Sequence, residues 1–167
     1  MPKGSPELTA ARKEEIINAC EEIYKEQGFY GVTLKEISTR TSFTRPAIYT
    51  YFETKDEILL ALLVREYEVW TEELARIEAI RTRLTKAQLA EELAHSLENR
   101  EVLLRIQNMN LYEIEINSRV ERLAEFKKLY KKAVDSIGNI LKNQVEGITD
   151  EECEKIILTL ADRKSVV

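Results

Sequence analysis

The chain has 167 residues, 44% hydrophobic and 33% charged, with only 5 Gly and 3 Pro, a composition that supports a packed core and excludes a disordered tail. Its net charge of -5 argues against bulk coating of nucleic acid, yet eight basic and eight acidic residues lie through Lys55, so the whole deficit falls downstream. The longest apolar run, Ile58 to Val64, is far short of the ~20 residues that span a bilayer, and Met1 to Glu15 lacks the apolar core of a signal peptide, so a cytoplasmic chain with no membrane partner is expected.

All three prolines (Pro2, Pro6, Pro46) lie in the first third, and no glycine falls between Gly31 and Gly138. Sheets and tight turns need that punctuation, so an all-α chain is predicted. Residues 1–8 read as a flexible tail. Ile16, Ile17, Cys20, Ile23 and Tyr24 then recur at helical spacing, which predicts a helix from Thr9 to Gln27 that Gly28 terminates. Thr33-Leu-Lys-Glu36 fits a capping box and opens a short helix to about Arg40. Thr44 is placed to cap a helix over Arg45 to Phe52, where Pro46 is tolerated because first-turn amides have no intrahelical partner. A second box, Thr54-Lys-Asp-Glu57, opens a long helix to about Ile80. Further starts are marked at Thr85 with Gln88, Ser118 with Glu121 and Thr149 with Glu152, giving seven or eight helices in all. Val102 to Ile116 is apolar at nine of fifteen positions spread around the helix, so it is expected inside a bundle.

Sixteen residues between Glu36 and Glu53 carry no carboxylate. Two short helices joined by a tight turn, the second capped and lightly basic, have the dimensions of a helix-turn-helix. Such a second helix enters the major groove by its N-terminal end. Arg45, Ala47 and Thr50 are the residues placed to reach base edges, and Thr33, Thr44 and Pro46 lie at the helix starts that meet the backbone. Tyr49 and Tyr51 can offer hydroxyls to phosphates, and Lys55 a point charge.

Over Thr9 to Leu63 the sequence resembles the tetracycline-repressor (TetR) family of bacterial regulators. The likeness is clearest in Gly28-Phe-Tyr-Gly31, in Val32-Thr-Leu-Lys-Glu-Ile37, and in the set Thr44, Tyr49, Phe52 and Lys55. The sequence departs from the family pattern in two places. Thr41-Ser42-Phe43 stands where Ala-Gly-Val is usual, and Pro46 where Gly is common. Ser42 in place of Gly implies a small left-handed backbone cost, and Pro46 stiffens the helix start.

The resemblance implies an N-terminal helix-turn-helix domain over 9–54, followed by a helical effector-binding and dimerisation domain over 55–167. It implies a homodimer that binds a near-palindromic double-stranded DNA operator and is released by a small-molecule effector, here an apolar one, through the long helix from Lys55. The family usually ends in two long helices, whereas this chain runs about one helix past Thr149, so the resemblance leaves two expectations open: a dimer built on different surfaces, or a shortened C-terminus. Candidate walls of the effector pocket are Trp70, Met109, Tyr112, Phe126 and Tyr130, with His95 and Asn108 as polar contacts; ordinary core packing competes for each aromatic.

No nucleophile elbow, phosphate loop or metal-ligand spacing is present, so no catalytic residue, metal or cofactor is expected. Cys20 and Cys153 lack C-x-x-C spacing, His95 has no second imidazole to share a metal with, and Cys20 reads as core filler. Lys127, Lys128, Lys131 and Lys132 read as one solvated helix face, and the pairs Glu91-Glu92 and Glu151-Glu152 point apart on a helix. The competing reading is a helical protein-interaction module of the same fold that has lost operator binding.

Overall fold

The computed structural model describes residues 4–161. In chain order these form α1 (Pro6–Gln27), a 3-10 turn (Phe29–Gly31), α2 (Leu34–Thr39), α3 (Arg45–Ile48), α4 (Lys55–Glu78), α5 (Lys86–Glu98), α6 (Glu101–Met109), α7 (Leu111–Ile116), α8 (Val120–Gln144) and α9 (Asp150–Ala161). Among the described residues there are nine α-helices and no strand, so the chain is all-α as its composition predicts. No helix among them is long and apolar enough to cross a membrane.

Two compact units emerge. One comprises the chain through Leu62 together with Tyr112–Leu123; the other comprises Leu63–Leu111 together with the chain from Ala124 onward. The first closes over Ile16, Cys20, Ile23, Tyr24, Phe29, Val32, Ile37, Ile48, Phe52 and Ile58, all buried, so Cys20 is the core filler its register suggests. The second closes over Tyr67, Trp70, Leu74, Leu103, Ile106, Phe126, Ile137 and Ile140.

Several helix ends follow the predicted chemistry. Gly28 stops α1 at φ 77°, a left-handed value that suits glycine, and its N–H bonds the Tyr24 carbonyl at 2.9 Å. Thr85 and Gln88 form a reciprocal capping box, and so do Thr149 and Glu152.

Other ends differ, each for a visible reason. The tail expected through residue 8 is already helical from Pro6, because the Ser5 hydroxyl accepts the Leu8 N–H at 3.2 Å and Pro6 needs no amide partner in the first turn. Ser118 does not cap α8. Its hydroxyl donates instead to the Ile114 carbonyl at 2.7 Å, closing the end of α7. The apolar stretch Val102 to Ile116 is not one interior helix. It breaks at Asn110 into α6 and α7, and Met109, Tyr112 and Ile116 are exposed. In the second unit the buried amide of Gln144 grips the α4–α5 connection, accepting from the Leu84 N–H at 2.9 Å and donating to the Thr82 carbonyl at 3.2 Å.

Candidate functional site

The α2–turn–α3 segment is fixed by directional bonds at each joint. Thr33 Oγ1 accepts the Glu36 N–H at 3.0 Å and so starts α2, while the Glu36 carboxylate turns to Arg40 at 3.2 Å rather than completing the predicted box. Arg40 also reaches Glu22 at 3.1 Å and Glu26 at 2.7 Å, tying the end of α2 to α1. Glu15 receives both the Ser42 N–H at 2.7 Å and the Ser42 hydroxyl at 2.9 Å, which holds the turn. No non-glycine among the described residues has a positive φ, so the left-handed cost expected at Ser42 does not arise.

Thr44 Oγ1 accepts the Ala47 N–H at 3.4 Å and caps α3. The regular helix ends at Ile48, short of the expected Phe52, and the chain continues in tight turns: the Tyr51 and Phe52 amides both bond the Ile48 carbonyl, at 2.9 and 3.1 Å. Ile48 and Phe52 are buried anchors. Facing away from them, Thr44, Arg45, Pro46, Tyr49 and Thr50 are exposed and Ala47 partly so, a face free of carboxylates. Thr33 is exposed at the start of α2. Lys55 is half-buried, its ammonium 4.8 Å from the centre of the Phe29 ring. Tyr51 leans inward, edge-on to Phe43, with its hydroxyl accepting from Arg12 at 3.2 Å. Arg12 thus adds an exposed cation beside that hydroxyl, which no spacing in the sequence marks.

Just behind this face the start of α4 meets the corner between α7 and α8. The Glu57 side chain is fully buried. It accepts the Arg119 guanidinium through both oxygens at 2.9 Å, the Arg119 N–H at 2.9 Å and the Glu53 N–H at 2.9 Å. Burial alone would raise its pKa, but these donors outweigh it and hold the carboxyl down at about 2. Its neighbour Asp56 is in the opposite condition: burial pushes its pKa up, and one carboxylate oxygen has no hydrogen-bond partner. Thr54 donates to the Asn117 carbonyl at 2.9 Å, and Arg122 donates to the Tyr51 carbonyl at 2.7 Å.

The second unit holds a small apolar cavity of about 30 Å³, lined among others by Tyr67, Trp70, Leu103, Gln107, Asn108, Tyr130 and Ile137. Tyr67 sits amid Trp70, Phe126 and Tyr130 at ring separations of 5.8, 5.6 and 6.1 Å, and its hydroxyl donates to Gln107 at 2.9 Å. Burial pushes the Tyr67 hydroxyl pKa well up, keeping it neutral. Trp70 donates through Nε1 to Ser96 at 3.1 Å. Of the predicted pocket residues, Trp70, Asn108 and Tyr130 line this cavity, and Phe126 packs behind Tyr67. The other three do not join them. Met109 and Tyr112 are 71% and 79% exposed, because the break at Asn110 turns them outward, and His95 lies on the surface 2.8 Å from Glu98. A wider groove of about 640 Å³, among Leu89, Leu93, Leu141, Val145 and Ile156, involves none of the predicted residues.

The comparisons with known proteins match this arrangement. Residues 16–62 match the model described as bacterial regulatory proteins, tetR family, and residues 64–161 match the one described as tetracyclin repressor-like, C-terminal domain. The chain belongs to the TetR family. Among curated relatives, the HTH-type transcriptional regulator HbdR of Aromatoleum sp. is 32% identical over 71 residues, which cover 42% of this chain and 31% of that protein. The matched stretch therefore spans about a third of that relative's length. Among solved structures, a TetR/AcrR-family transcriptional regulator from Thermobifida fusca is 25% identical with a TM-score of 0.60, covering 90% of this chain and 80% of its own. A transcriptional regulator FadR from Bacillus subtilis, in complex with stearoyl-CoA, has a TM-score of 0.63 at 20% identity, covering 89% of this chain and 82% of its own.

The TetR resemblance legible in the sequence covers α1 to α3 and the start of α4, and the family match extends to residue 161. Sequence reasoning missed Arg12, Arg119 and Arg122 in the first unit, and Tyr67 and Gln107 in the second. Only Tyr67 carried a signal, its place on the apolar face of α4.

Proposed function

We propose that the chain is a cytoplasmic, sequence-specific DNA-binding transcriptional regulator, acting as a homodimeric repressor that an apolar small molecule releases from a near-palindromic operator. The observation that carries this reading is the outer face of α3. A threonine-capped helix start with Arg45, Ala47 and Thr50 on the open side sits on two buried anchors, with exposed Tyr49 beside it. That arrangement offers a bidentate guanidinium and small side chains to base edges, and hydroxyls to the flanking phosphates. Pairing two such units about one helical repeat apart, ~34–36 Å, gives the affinity that one unit lacks.

The aromatic cavity of the second unit supports an apolar effector with a small polar part that Gln107 and Asn108 can meet. Its resting volume is about 30 Å³, room for little more than water, so an effector must open it. The stearoyl-CoA bound by the Bacillus subtilis FadR, a protein of like fold, makes acyl compounds the first class to test.

The test is selection of bound duplexes from a random library at near-physiological salt, with the solution mass of the same preparation. An enriched near-palindrome bound by a dimer supports the proposal, and absence of enrichment overturns it. Trp70 is the only tryptophan and lines the cavity, so quenching of its fluorescence by long-chain acyl-CoA reads effector binding directly. Reciprocity requires that the same compound bind the operator complex more weakly.

A further inference from the structure

We propose that Arg122 is a positioning residue for DNA recognition, capping the carbonyl end of the α3 segment from the start of α8. The inference rests on reading α3 as the recognition element.

The regular part of α3 is only four residues long. A helix of that length does not sustain itself in water, because nucleation costs more than one turn of bonds returns. Its conformation must be imposed from outside. Thr44 supplies the N-terminal cap, and Ile48 and Phe52 hold the inner side. At the opposite end the carbonyls of Arg45, Ala47 and Ile48 are met by the amides of Tyr49 to Phe52, and the turns that follow the helix end at the Tyr51 carbonyl. There Arg122, 71 residues away in sequence, donates to the Tyr51 carbonyl at 2.7 Å, and its guanidinium carbon lies 4.9 Å from the centre of the Phe52 ring. One side chain thus meets a terminal carbonyl and a buried anchor of the same segment.

Arg122 is itself held in place. Three residues earlier, Arg119 is locked to the buried Glu57 by its guanidinium and its backbone N–H, and Thr54 bonds the Asn117 carbonyl. The connector from Tyr51 to Glu57 is therefore bonded at three points to the stretch from Asn117 to Arg122. Hydrogen bonds of this kind, two of them charge-assisted, fix orientation as well as distance. The angle at which Arg45, Ala47 and Thr50 meet DNA is then set partly by a residue that touches no DNA.

The experiment compares wild type, Arg122→Ala and Arg122→Lys in the full chain by amide hydrogen exchange, and by affinity for the selected duplex against a scrambled one. For Arg122→Ala, exchange at Tyr49 to Phe52 is expected to quicken about tenfold while Ile16 to Tyr24 is unchanged, and the selected-to-scrambled affinity ratio to fall about tenfold. Arg122→Lys keeps the cation without the planar fork and should recover part of both. The proposal is overturned if Arg122→Ala leaves either the exchange of that segment or the affinity ratio unchanged, or if α1 loosens equally, which marks general destabilisation. A wild-type chain that does not discriminate the two duplexes defeats the DNA-binding reading and the functional half of this one. The exchange data then still decide whether Arg122 holds α3.

Discussion

Both units close over an apolar core, and the second has side-chain clamps of its own at Gln144 and Arg100, but what frames the candidate site of each differs. In the first, the joints are side-chain bonds to charged or backbone partners: Arg40 to three carboxylates, Glu15 to Ser42, Glu57 to Arg119 and Arg122 to Tyr51. In the second, the centre is a group of tilted and edge-on aromatic rings, with hydrogen bonds at Tyr67 and Trp70 tethering the polar tips. The contrast matches the two tasks proposed for them. A surface that must present hydroxyls and a guanidinium to phosphates and base edges in register needs bonds with direction. A pocket that must admit an apolar molecule is better lined by packing, which has no preferred direction and can rearrange.

Trp70→Ala should destabilise the chain by about 3–5 kcal/mol, the usual range for a buried aromatic cut to alanine, with a midpoint that follows pH as wild type does; thermal unfolding at several pH values checks it. Glu57→Ala should cost about 3 kcal/mol, because it strands the donors of Arg119 and Glu53. The Glu57 carboxyl is held at about 2, below its ordinary 4.5, so its contribution is complete above about 4.5 and is lost as pH falls towards 2. Glu57→Gln should accordingly lose less stability than wild type over that window.

Smaller effects sharpen the contrast. Asp56 has the opposite shift, raised first by burial, so its charge opposes folding above the ordinary carboxylate range and the opposition fades on acidification. Asp56→Asn should therefore leave stability at pH 7 equal or raise it by up to about 1 kcal/mol, in contrast to its neighbour. His95→Ala, on the surface, should change neither stability by more than about 0.5 kcal/mol nor Trp70 quenching by acyl-CoA.

Local chemistry made much of this legible in advance. Thr33, Thr44, Thr85 and Thr149 each cap the helix that their spacing marks. The break at Asn110 was hidden because no glycine or proline signals it within an apolar run, and the helical start at Pro6 because Ser5-Pro6 looks equally like a loose tail. The long-range clamps were out of reach for a different reason. Arg119 and Arg122 find partners 62 and 71 residues away, and nothing in helical periodicity pairs a basic residue on α8 with a carbonyl beside α3. In the cavity, Trp70 and Tyr130 line the wall, and nothing in the apolar run that holds both Ile106 and Met109 tells that Met109 ends outside.

The most direct test of α3 as the element that reads sequence is a salt titration of binding to the selected duplex and to a scrambled one, by wild type and by Arg45→Ala/Thr50→Ala. The paired substitution is expected to remove most of the preference for the selected duplex, about 1–3 kcal/mol for each lost base contact, while the dependence of affinity on salt stays close to wild type, because the phosphate contacts remain. An unchanged preference would contradict it, and would place sequence recognition away from α3.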